Sequence, residues 1–218
     1  MNILCLGDSH TNVFKMCNEK QKKWKFNVVE VPGATAQGAV NPHSKTDALR
    51  IFGQKLNSMN ASKLLIMLGE VDCGFVIWVR SKRENISVDE QINNSINNLF
   101  KFLETRAKKF NSENIIIAGV PLPTIRDTTD KKLFVNNTRG EVEANQLERT
   151  NKTLEFNNIL KERCSKCNYK YIEITSSIIG NDGLVSSHFL NRDPKDHHLD
   201  SNKTWGLWIK ELDRVYNL

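Results

Sequence analysis

No apolar run in this chain is long enough to cross a membrane. The longest, such as Phe75 to Val79, have five residues, where a bilayer-spanning helix needs ~20. A secretory leader is not expected either: the apolar stretch Ile3 to Leu6 is shorter than an h-region and runs straight into Gly7-Asp8-Ser9. Cysteine is scarce, with five residues among 218. The odd, scattered count argues against a disulfide framework and favours a reducing, cytoplasmic setting. Cys164 and Cys167 form a lone Cys-x-x-Cys with no second pair at zinc spacing, so no metal or redox role is expected of them. The loop Gly33-Ala34-Thr35-Ala36-Gln37-Gly38 lacks the glycine spacing of a dinucleotide fingerprint, and the chain has no P-loop. Repeats, linkers and low-complexity segments are also missing, which leaves residues 1–218 as one expected domain.

The composition, 39% hydrophobic and 26% charged, suits a soluble globular protein with a sizeable core. The net charge of +6 comes partly from Lys20 to Lys25, a basic cluster with Trp24 inside it. Such a run is usually a solvated helix end and loop, so neither a nucleic-acid nor a membrane partner is expected.

Strand and helix signals alternate along the chain. Ile3–Leu6, Phe26–Val31, Leu64–Leu68, Asn114–Val120 and Tyr169–Ile174 read as strands, and the apolar third one suits a parallel strand covered on both faces. Helices are expected from Thr11 to Lys20, and from Asp47 to about Ser58 with Ser44 or Thr46 as its cap. A third follows the capping box Ser87-Val88-Asp89-Glu90. A long helix from Val142 to Arg163 and a last one carrying Trp205, Trp208, Ile209, Leu212 and Tyr216 complete the pattern. Five alternations predict a parallel sheet with helices on both sides. The charged stretch from Arg126 to Arg139, with Asp127, Asp130 and Lys131, exceeds an ordinary connection; it is either a substrate-covering loop or a surface excursion.

Gly7-Asp8-Ser9 stops the first strand, and Ser9 falls at a strand's carboxyl end, where open α/β sheets hold their ligands. Backbone N–H groups beside a serine there suit a nucleophile whose product is an oxyanion. The bland alternative is that Asp8 and Ser9 only cap the next helix. Gly69-Glu70-Val71-Asp72 marks a second strand end with a glycine and acids. A nucleophilic serine needs a base and a group to orient it. Of five histidines, His197 and His198 stand in a polar loop before the last helix, with Asp193 and Asp196 close by. Nothing pairs His10 or His43 convincingly, and His188 reads as structural.

These residues resemble the SGNH or GDSL-like hydrolases. Gly7-Asp8-Ser9 is similar to the family's first block, in which the serine is the nucleophile and its N–H helps form the oxyanion hole. Gly33 matches the glycine of the second block, and Gly69 to Asp72 falls where the third block, Gly-x-Asn-Asp, stands. Asp196 to Leu199 lies where the family has Asp-x-x-His. The resemblance implies a three-layer α/β/α sandwich of flavodoxin-like, SGNH type with five mainly parallel strands. It also implies a serine esterase acting on small acyl esters, acetyl groups on a glycan among them, with no metal or organic cofactor. An acyltransferase and a degenerate binding module are the alternatives. Two departures stand out. Val71 replaces the family's oxyanion asparagine, and a backbone N–H near Asp72 or the Arg80 side chain is the candidate substitute. Lys195, not an acid, lies three before His198, so Asp196 is the expected orienter of His198, with Asp193 in reserve.

Overall fold

The computed structural model describes residues 1–129, 138–193 and 196–218. Of the residues singled out above, Asp130, Lys131 and Lys195 lie outside the described residues, as does the side chain of Arg139.

Five strands form one sheet, β1 (Asn2–Gly7), β2 (Lys25–Glu30), β3 (Lys63–Met67), β4 (Ile115–Ala118) and β5 (Lys170–Ile172). Their spatial order is β2-β1-β3-β4-β5 and every pairing is parallel. In register, Gly7 lies opposite both Glu30 and Met67, so the ends of β1, β2 and β3 are level. The chain leaves β1 toward one side and returns on the other, which opens a crevice above the carboxyl ends of β1 and β3.

Alternate residues of each strand face opposite layers. Leu4, Leu6, Leu64, Ile66, Ile115 and Ile117 pack beneath α2 (Ala48–Ser58), α4 (Val88–Arg106) and α5 (Gln146–Lys166), against Phe52, Leu99, Phe156 and Leu160. Ile3, Cys5, Leu65, Met67 and Ile116 pack on the other face under α1 (Val13–Lys20), the short α6 (Thr175–Ile178) and α7 (Ser201–Tyr216), against Phe14, Trp208 and Leu212. The three layers are therefore written in the period-2 pattern of each strand. Helix α3 (Ile77–Glu84) follows β3 after a single π-turn at Asp72–Val76.

Several boundaries differ from the expectation, each for a local reason. Residues Ser9–Asn12 form a 3-10 turn before α1, because the Asp8 carbonyl takes both the amide and the hydroxyl of Thr11. Helix α5 starts at Gln146, not Val142. Asn145 and Glu148 form a reciprocal capping box there, with bonds of 2.9 and 2.7 Å. Neither Ser44 nor Thr46 caps α2. Their hydroxyls bond each other at 3.0 Å, and Asp47 takes the cap position in the left-handed region at φ 54°. The edge strand β5 is shorter than expected, since β4 pairs with it only through Ile116 to Ala118. Trp24 is a core residue: it is 1% exposed, lies 5.5 Å from the Tyr216 ring and donates to Asp213, so it offers no face for base stacking. Among the described residues no helix is long and apolar enough to cross a membrane.

Candidate active site

Gly7 ends β1 against the neighbouring strand. A Cβ there would lie 2.1 Å from the Met67 carbonyl oxygen and 2.3 Å from Thr11 Cγ2, so only glycine lets the turn sit this low. Asp8 is fully buried and its Oδ1 accepts the His10 amide at 2.9 Å. That clamp presents Ser9 as the first residue of the 3-10 turn, above the sheet.

The last loop brings a histidine to it. His198 Nε2 lies 2.7 Å from Ser9 Oγ, and His198 Nδ1 lies 2.6 Å from Asp196 Oδ1. Asp196 Oδ1 also accepts the His198 amide at 2.9 Å, and Oδ2 accepts from Asn191 Nδ2 at 2.8 Å. Partial burial by itself would push the Asp196 carboxyl up. The amide and ring of His198, with the charges of His198 and His197, outweigh that and hold it below the usual carboxylate range. An ionised Asp196 fixes the proton of His198 on Nδ1 and leaves Nε2 to accept from the Ser9 hydroxyl. The loop is tied down on both sides. Thr124, after β4, donates to the His197 carbonyl at 2.5 Å, and Leu190 bridges to Leu199. Asp193 precedes the dyad and accepts the Asp196 amide through its carbonyl.

Gly33 turns the chain after β2 at φ +74°, a conformation that favours glycine. The loop it begins is held by Asp72, whose fully buried carboxylate accepts the amides of Ala36 at 2.7 Å and Gln37 at 3.0 Å. Burial pushes the Asp72 carboxyl up to about 6; these amides and the Ser95 hydroxyl offset it only in part, and the charge of Asp8 adds to the rise. The Asp72 side chain, an acceptor committed to two amides, is thus a brace for the Gly33 loop. The Arg80 side chain is exposed and bound to Glu84 at 2.6 Å. Val71 is buried in a small apolar cluster with Phe75, Val79 and Val142.

No family model matches the chain, and no curated protein matches it in sequence. Solved structures do match. A protein from Streptococcus pneumonia named for platelet activating factor aligns with a TM-score of 0.63 at 14% identity, covering 99% of this chain and 84% of that one. A GDSL-like lipase from Bacteroides thetaiotaomicron aligns at 0.57 and 11% identity, covering 99% and 87%. The acetyl xylan esterase AlAXEase aligns at 0.55 and 12%, covering 99% and 100%. The chain has the SGNH-hydrolase fold.

Within this SGNH fold, two groups beside Ser9 escaped the sequence reading. His10 is buried, with Nδ1 3.2 Å from Asp8 Oδ1 and 3.7 Å from Glu70 Oε2; its ring centroid is 4.5 Å from that of His198. The signal was present: Asp8-Ser9-His10 and Asp196-His197-His198 have the same Asp-x-His spacing, and the structure closes both in the same way. The other expectations separate. His43 and His188 are exposed, His188 packing edge-on against Phe189. Cys164 is buried and Cys167 half-buried, both as free thiols. Of the run Phe75 to Val79, Ile77 enters the main core, while Phe75 lines a cavity of about 190 Å³ with Gly74, Val142, Ala144 and Arg149. The described part of the Arg126 to Arg139 stretch borders the same cavity, where Asp127 accepts the Gln146 amide at 2.7 Å and faces Arg149.

Proposed function

We propose that this chain is a serine ester hydrolase acting on small acyl esters. The observation that carries the reading is the continuous hydrogen-bonded line Ser9 Oγ–His198–Asp196, at 2.7 and 2.6 Å. His198 Nε2 takes the proton as Ser9 Oγ attacks the ester carbonyl, and Asp196 holds the imidazole and stabilises its charged form. The Ser9 and Gly33 amides receive the oxyanion, on a loop braced by Asp72. The alcohol leaves with the proton from His198. Water, activated by the same imidazole, then hydrolyses the acyl-enzyme and regenerates Ser9. An acetyl ester on a glycan suits the proposal because an acetyl xylan esterase is among the proteins sharing the fold.

Val71 favours a second reading, in which the fold and the serine line persist with little turnover. A missing oxyanion donor costs ~10²–10³ in rate, and the side chain at this position cannot donate. Hydrolysis of a p-nitrophenyl ester series by the wild type beside folded Ser9→Ala and His198→Ala variants tests the first reading. Each variant is expected to lose about 10³-fold or more. Covalent labelling of Ser9 by a fluorophosphonate without ester turnover supports the second reading, and neither labelling nor turnover refutes both.

A further inference from the structure

Three imidazoles meet beside Ser9. The ligand atoms offered by His10, His197 and His198 all lie within 4.8 Å of one another. The ring centroids are 4.1 Å apart for His197 and His198, 4.5 Å for His10 and His198, and 5.5 Å for His10 and His197. Ester hydrolysis through Ser9 needs only one of these rings. Two of them also carry the outer arrangement typical of metal-bound histidine, in which one ring nitrogen bonds a carboxylate and the other is presented to the ion. His10 Nδ1 faces Asp8 and Glu70, and His198 Nδ1 faces Asp196.

The charge of the surroundings points the same way. Asp8 Oδ2 and Glu70 Oε2 are buried and, among the described residues, receive no hydrogen bond. Buried carboxylate oxygens without donors call for a compensating charge nearby.

From this we infer that His10, His197 and His198 form an inhibitory site for a divalent transition-metal ion of the zinc class. Imidazole nitrogens suit Zn²⁺, which takes them at ~2.0–2.1 Å in tetrahedral geometry. That places the three nitrogens ~3.3 Å apart, so each ring closes by less than about 1 Å from the present arrangement. The ion uses His198 Nε2, the atom that now accepts from Ser9 Oγ at 2.7 Å. Binding and proton abstraction from Ser9 are therefore mutually exclusive. The inhibitory half rests on the serine-hydrolase reading; the binding half does not.

The experiment titrates the metal-free protein with Co²⁺, reads the visible d–d bands of a tetrahedral site, and then displaces Co²⁺ with Zn²⁺. Wild type, His197→Ala, Glu70→Gln and, as a remote control, His43→Ala are compared after each is shown to be folded. One tetrahedral Co²⁺ per chain is expected in the wild type and in His43→Ala. His197→Ala, which removes a ligand, and Glu70→Gln, which alters a carboxylate behind His10, are each expected to weaken Zn²⁺ by about 10-fold or more. Absence of the bands in the wild type, or equal Zn²⁺ affinity in wild type and His197→Ala, overturns the site whether or not the protein hydrolyses esters. On active protein, Zn²⁺ is expected to abolish turnover and EDTA to restore it. Hydrolysis that continues with the site saturated overturns the inhibitory role.

Discussion

Asp72 makes the energetics of the Gly33 loop measurable. Its carboxyl is fully buried and is pushed from 3.8 to about 6, with desolvation as the largest cause. At about 1.4 kcal/mol per pH unit, that difference corresponds to roughly 3 kcal/mol. Between pH 4 and about 6 the unfolded chain has ionised Asp72, while the folded protein still holds the proton. The unfolded state then binds fewer protons, so this group lowers stability as pH rises through that window and contributes no further slope above it. Asp72→Asn removes the titration. Its carbonyl oxygen still accepts one of the two amides now held at 2.7 and 3.0 Å, but its NH₂ faces the other. Losing a charge-assisted bond and stranding a buried amide costs about 3–5 kcal/mol, which roughly cancels the relief of burying a neutral group at pH 8. The level of stability is therefore a poor readout and its slope a good one. Urea unfolding of both proteins from pH 4 to 8 is expected to give a difference curve that falls by roughly 3 kcal/mol up to about pH 6 and is flat beyond it. A difference curve flat from pH 4 upward would refute the reasoning.

Gly7→Ala drives a Cβ into the Met67 carbonyl and Thr11, at 2.1 and 2.3 Å. Thermal and urea unfolding are expected to show a loss of about 3 kcal/mol or more, because the nearer obstruction, the Met67 carbonyl, is backbone and cannot rotate away. Val71→Asn tests the oxyanion deficit from the opposite direction. It places an amide in the apolar cluster of Phe75, Val79 and Val142, at an expected cost of about 1–3 kcal/mol, and should raise kcat toward p-nitrophenyl acetate about 10²-fold. A folded variant with unchanged kcat would remove position 71 from the oxyanion account.

Much of this was legible in the chain. Strand cores such as Leu64 to Met67 are apolar on both faces, which only a doubly covered parallel strand tolerates. Gly7, Gly33 and Gly69 mark ends of the sheet, and two of them, Gly33 and Gly69, adopt positive φ. Ser9, His198 and Asp196 could be nominated because the Asp-x-His spacing lets a carboxylate and an imidazole meet within one loop. Element ends were less legible. The start of α5 depended on which of several polar residues won the cap, and that competition is decided by backbone direction rather than by composition.

The sequence by itself determined the layered α/β architecture, through the alternation of period-2 and helical patterns, and named the serine and histidine ends of the site. Only the tertiary structure decided what lies between them. The Asp72 carboxylate proved to brace the Gly33 loop, and His10 came to lie against His198 with Glu70 beside its Nδ1. These are contacts across tens to nearly two hundred residues of chain, such as Ala36 with Asp72 and Ser9 with His198. Local pattern has no reach over such separations, because the strand order that brings the ends of β1 and β3 side by side is set by how the whole sheet buries its two faces.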